Sequence, residues 1–168
     1  LRTILLLLFF AVIQPAFADD WQPYANVRFG YAIEIPPGFT MTNEAENGDG
    51  RTYASQSGRT TLSVWGTLLA DLPFREDVSQ QRDFYVQDGW DISYDRTSDG
   101  WVSFSGTKDG RILYHRAIQL CEEQAAFFAL DYPVADRKVM DAVTVRLVKS
   151  LRPEEGCSST PKAAPGAN

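Results

Sequence analysis

The chain has 168 residues, 44% of them hydrophobic and 23% charged, with a formal net charge of −6. An acidic balance of this size argues against non-specific binding to nucleic acid or to an anionic membrane face. One His and two Cys leave too few of the usual ligands for zinc, and no cofactor or metal is expected.

The first segment, residues 1–18, has the form of a secretory signal peptide. Arg2 is followed by the apolar run Ile4 to Ile13, then Pro15-Ala16-Phe17-Ala18 before Asp19. The run is too short to span a bilayer, and no later stretch approaches the roughly twenty apolar residues that a membrane helix needs, so no stable membrane insertion is expected. Cleavage after Ala18 would leave about 150 residues, a common size for one domain with one core. The expected address is the periplasm or the outside of the cell, with no lipid anchor because Asp19 and not a Cys stands directly after Ala18. Residues 19–157 are read as a single domain and residues 158–168, small, polar and Pro-rich, as a disordered tail.

Trp21 to Asn26 reads as irregular. Arg28 to Ile35 reads as a strand, with apolar residues alternating at Phe29, Tyr31, Ile33 and Ile35 before Pro36-Pro37-Gly38 ends it. Met41 to Gly50 is polar and turn-rich. A hairpin is predicted from Arg51 to Ser55 and Thr60 to Trp65 across Ser57-Gly58. Arg75 to Asp88 is helical in type, with Val78, Arg82, Tyr85 and Val86 on one face and Gly89 as a stop. Four strands follow, Asp91 to Arg96, Trp101 to Gly106, Arg111 to Leu120 and Ala125 to Tyr132, separated by short turns that predict an antiparallel meander. A last helix, Val134 to Leu151, places Val139, Ala142, Val143, Val145 and Leu147 at mixed helical spacing.

Several of these strands are apolar on both faces, as in Phe127-Phe128-Ala129-Leu130, and must be covered on both. The fold class is therefore α+β, an α/β/α sandwich with a central, mainly antiparallel sheet of about seven strands and two main helices. In an exported chain the two cysteines predict one disulfide. The strand before Pro133 and the helix after it nearly cancel in length, which returns Cys157 to the neighbourhood of Cys121.

The phrases YANVRFGYAIEIPPGF (24–39), NGDGR (47–51) and SGTKDGRILYHR (105–116) resemble a group of small bacterial secreted proteins, a likeness that brings no activity with it. The element order resembles the PsbP-like α/β/α sandwich, named for an extrinsic subunit of photosystem II and shared by a nuclear import factor that binds the Ran GTPase. That resemblance implies an accessory or binding role and transfers no binding residue.

His115 is the only histidine, so imidazole chemistry would run through it, with Ser103 or Ser105 as nucleophile and Asp131 as orienting acid. No G-x-S-x-G turn presents either serine, and a solvent-facing or hydrogen-bonded structural His is preferred. The loop Asn43 to Arg51 carries oxygens that could hold calcium, but a calcium-loop frame ending in Gly50 lacks both anchoring carboxylates, so a turn is the better reading. Glu122-Glu123, with Asp91, Asp95 or Asp131, is weighed as a glycosidase pair and read as a solvated corner. The strand aromatics are core first, while a subset on an uncovered part of the sheet would make a binding face. Arg116 shares its strand parity with Ile112, Tyr114, Ile118 and Leu120, and a cation in an apolar row is either paired inside or marks a cleft. Arg111 and Arg116 are the candidate anion-contacting spot, with His115 and Trp101 as further candidate binding residues.

The expected function is non-enzymatic: a periplasmic binding or accessory protein for a protein or small-ligand partner. The alternatives are a hydrolase with an unrecognised site, needing a cleft with two displaced titratable groups, and an inhibitor of an external enzyme, presenting a rigid loop such as Asn43 to Arg51 to its target's cleft.

Overall fold

The computed structural model describes residues 20–69, 72–121 and 123–155. The leader, the tail and Cys157 lie outside them. The strands are β1 (Gln22–Asn26), β2 (Tyr31–Ile35), β3 (Phe39–Glu44), β4 (Gly50–Ser55), β5 (Thr61–Leu68), β6 (Asp91–Thr97), β7 (Trp101–Lys108), β8 (Arg111–Gln119), β9 (Gln124–Pro133) and the short β10 (Arg152–Pro153). The helices are α1 (Phe74–Gln87) and α2 (Arg137–Ser150), the latter entered through a 3-10 turn at Val134–Asp136.

Seven strands form an antiparallel sheet in the order β3-β4-β5-β9-β8-β7-β6, and β1-β2-β10 form a second, smaller sheet. The meander from β6 to β9 is the one that the turns predict. Asp109 and Gly110, both at positive φ (47° and 74°), make a two-residue turn that sets Lys108 opposite Arg111 and fixes every later pair of β7 with β8.

The segment predicted as the first strand of the central sheet lies elsewhere. Phe29, Tyr31, Ile33 and Ile35 are buried as their alternation requires, but β2 belongs to the small sheet. Its place at the sheet edge is taken by β3, read from sequence as a polar turn region. The segment Trp21 to Asn26, read as irregular, contributes β1. Both strands owe their state to pairing: β3 has only Phe39 partly covered, so burial leaves no period in its sequence. Gly66 of β5 shows how the sheets seat on each other. A Cβ there would stand 2.4 Å from the Phe29 ring, so the ring packs on bare backbone.

The two faces of the large sheet are covered at opposite ends. On one face, α1 packs on β6 and β7, and Phe74, Val78, Phe104 and Phe127 are buried together. On the other, α2 packs on β9, β8 and β2, while the small sheet lies over the β4–β5–β9 end. Tyr31, Leu62, Phe128, Leu130 and Leu147 form the centre of this larger core. Each such side chain, fully buried, contributes on the order of 1.5–3 kcal/mol of burial.

The helix faces differ in part from their predictions. In α2 the inward stripe is Met140, Val143, Thr144 and Leu147, while Val139 and Val145 are 65% and 53% exposed. In α1 Val78 is buried as expected but Val86 is half exposed. Valine is apolar wherever it stands, so mixed spacing cannot mark the covered side.

Candidate functional site

Strand β8 runs near the middle of the sheet, and its side chains alternate between the two layers. Arg111, Leu113, His115 and Ala117 face the α1 layer; Ile112, Tyr114, Arg116 and Ile118 face the α2 layer. The candidate residues are thereby divided between the two faces.

His115 is fully buried, enclosed by aromatic rings. Phe104, its cross-strand neighbour, stacks on it at 4.4 Å between centroids, and Trp65, Phe127 and Tyr85 stand at 5.6, 5.8 and 6.0 Å. Neither ring nitrogen has a hydrogen-bond partner among the described residues. Burial pushes the imidazole pKa down to about 3, so the ring is neutral at physiological pH. The expectation of a solvent-facing or hydrogen-bonded histidine is corrected: the aromatic walls exclude both water and donors. The weighed triad is not assembled either. Ser103 lies opposite Arg116 on the other face of the sheet, and Asp131 pairs with Arg111 at 2.8 Å.

Arg111 and Arg116 do not make one spot. Arg111 faces the α1 layer at the start of β8, where Asp131 and the Arg59 carbonyl (3.1 Å) take its donors. Arg116 faces the α2 layer and lies over the Trp101 ring at 4.1 Å, with Nη1 donating to Ser103 Oγ at 2.9 Å. Of the four candidate binding residues, the structure joins only Arg116 and Trp101.

Arg116 forms no ion pair among the described residues, and its buried Nε has no hydrogen-bond partner. Half-burial pushes the guanidinium below its ordinary pKa; the opposing charge effects come from Tyr114 and Tyr94, with no carboxylate among them. A half-buried cation without an anion is an unfavourable arrangement that a folded chain normally avoids or uses.

The register extends this locus across the sheet. Arg116, Ser103 and Arg96 are consecutive across β8, β7 and β6, so two arginines flank one serine on the same rung. On the adjacent rung are Tyr114, Ser105 and Tyr94, with the Tyr94 and Tyr114 rings stacked at 6.5 Å and Arg96 over Tyr94 at 5.8 Å. The tyrosine rung floors a groove of about 560 Å³ between α2 and β6–β8. Ile112 and Tyr132 continue the floor, Val145 and Val148 form the helix wall, and Arg137, Asp141 and Lys149 add charge from α2. Its size lies within the range of small-molecule sites, roughly 300–1,000 Å³. The groove exists because α2 crosses β8 and β9 and leaves the β6–β7 end of this face uncovered.

Sequence reading missed Arg96, Ser103 as the Arg116 partner, and the α2 contribution. The first two were within reach: counting back from the Asp109-Gly110 turn pairs Ser103 with Arg116 and Phe104 with His115. The α2 contribution needs the tertiary packing.

The Asn43 to Arg51 loop is tied down. Asn26 Nδ2 donates to the Gly48 carbonyl at 2.9 Å, Arg28 holds the Asn47 carbonyl, and Arg28 also pairs with Asp49 at 3.3 Å. Glu44 pairs with Arg51 at 2.8 Å. Asp49 and Glu44 are thus directed at arginines. Among the acids of the weighed glycosidase pair, Asp95 pairs with Arg82 at 2.6 Å, Asp131 with Arg111, and Glu122 lies outside the described residues.

This architecture, an antiparallel sheet with a helical layer on each face and a small sheet beside α2, is the PsbP-like α+β sandwich. The solution structure of cyanobacterial PsbP (CyanoP) from Synechocystis sp. PCC 6803 superposes with a TM-score of 0.60 at 14% identity, covering 83% of this chain and 96% of that one. At that identity the likeness is one of fold. No protein-family model matches the chain, and no curated protein matches it. Among the described residues no helix is long and apolar enough to cross a membrane.

Proposed function

We propose that the chain is a non-catalytic binding or accessory protein of the bacterial periplasm, whose ligand seats in the groove between α2 and β6–β8. The observation that supports this most is the groove itself: three tyrosines and aliphatic side chains line it, with Asp141 its one carboxylate. The only histidine is sealed on the opposite face, which leaves the hydrolase reading without its imidazole.

Export rests on the form of residues 1–18. The Cys121–Cys157 pairing is part of the same proposal. Glu154 N–H donates to the Gly30 carbonyl beside Phe29, whose ring covers Gly66, and Gly66 shares a rung with Ala126 and Ile118 near the β8–β9 turn that carries Cys121. Three further residues span at most about 10 Å. Thiol alkylation of the unreduced mature protein, read by mass, should add no label; two added groups would sink the pairing.

The groove is tested with a neutral probe, 2-naphthylacetamide, followed by amide chemical shifts. Binding should perturb β6–β8 and α2, and Val145→Trp, at an exposed position on the groove wall, should abolish the effect. Absent or scattered perturbations would overturn the reading.

A further inference from the structure

The charge around the groove is opposite to that of the chain. The protein carries a net charge of −6, yet the groove lining holds Arg137 and Lys149 against Asp141, and the rung beside it adds Arg96 and Arg116. Successive residues on one strand face stand about 7 Å apart, so Arg116 stands one rung beyond the Tyr114 floor, outside the groove lining itself but close enough to Tyr114 and Tyr94 to feel their charge. On that rung the guanidinium is held in place by Trp101 and Ser103 and has no carboxylate to neutralise it. A fixed, partly desolvated cation without a counterion is what an anion-recognition site requires before its ligand arrives. The tyrosine rung beside it offers stacked rings to a flat or apolar body.

We infer that the groove recognises an amphipathic monoanion: a flat or apolar body on the Tyr94–Tyr114 rung, with its carboxylate on Arg116. The inference rests on the groove being the ligand seat and adds the chemical class of the ligand. A carboxylate fits better than a phosphate because a single guanidinium, Arg116, is held beside the groove by both an indole and a hydroxyl; Arg96, about 10 Å away across two strand spacings, lies exposed on the edge strand. Trp101 and Ser103 are positioning residues for the guanidinium.

The test compares three ligands that share one ring system: 2-naphthylacetate, its neutral amide 2-naphthylacetamide, and 2-naphthyl phosphate, titrated calorimetrically at fixed ionic strength. The acetate should bind at least about tenfold tighter than the amide, because the carboxylate adds charge to the hydrogen bond that the guanidinium makes. Arg116→Gln should bring acid and amide within twofold of each other. Arg116→Lys, which keeps the charge without the planar fork, should retain part of the preference, and the amide spectrum of each variant reports its folding. Equal binding of acid and amide by the wild-type protein would overturn the anion assignment and leave the groove standing. Failure of both to bind would overturn the groove with it. A preference that survives Arg116→Gln would remove Arg116 as its reader, and tighter binding of the phosphate would overturn the monoanion assignment.

Discussion

His115 and Arg116 are consecutive residues on one strand, and both bury polar nitrogen without a full set of partners. They differ in what surrounds them. The imidazole responds to burial by staying neutral, and four aromatic rings close over it. The guanidinium cannot lose its proton at any ordinary pH, and its side of the sheet opens into a groove. An unsatisfied group that can discharge itself is compatible with a sealed core, whereas one that cannot points to a ligand.

The largest effect expected from disturbing this contrast is on the sealed side. Phe104→Ala removes the fully buried ring stacked on His115 and should lower stability by about 3–5 kcal/mol in urea denaturation. If the folded fraction still binds the naphthyl probes, the two faces work independently; loss of binding by the folded variant would break the separation.

Acid gives the next effect. An unfolded histidine takes up a proton below about pH 6.5, while the folded ring resists until about pH 3, so the unfolded state binds more protons across that window and stability falls as pH drops through it. Between pH 7.5 and pH 5 the loss should be about 2 kcal/mol. In His115→Phe that slope should vanish, because the one cage group left that titrates, the Tyr85 phenol, does so far above this window; a slope unchanged in the variant would place its origin elsewhere.

On the open side the stability effects should be small. Arg116→Met removes a partly desolvated charge and should change stability by less than about 1 kcal/mol in either direction. Arg111→Ala breaks a pair with Asp131 that is about a third exposed on each partner, and should lose about 0–1 kcal/mol. A loss of several kcal/mol in Arg116→Met would mark that residue as structural, on a par with Phe104.

How much of this was legible in the sequence follows the same division. The β6–β9 meander could be read because its turns and strand periods are local. Arg116 stood out because a cation interrupts the apolar row of Ile112, Tyr114 and Ile118. The row Leu113, His115, Ala117 carries a comparable signal, but a lone histidine in a sequence fits a catalytic or solvated role as readily as a buried one. β3 was not legible: Thr40 to Glu44 is exposed and polar, and only hydrogen bonding to β4 makes it a strand. The groove was not legible either. It depends on where α2 crosses the sheet, and the exposed Val139 and Val145 are indistinguishable by composition from the inward Val143.

The most direct test of the division between the two faces is the affinity of 2-naphthylacetate for three proteins under one condition: wild type, His115→Phe and Arg116→Gln. Binding by His115→Phe equal to wild type, with at least tenfold weaker binding by Arg116→Gln, is the predicted result. Weakened binding by His115→Phe, or wild-type binding by Arg116→Gln, would contradict it.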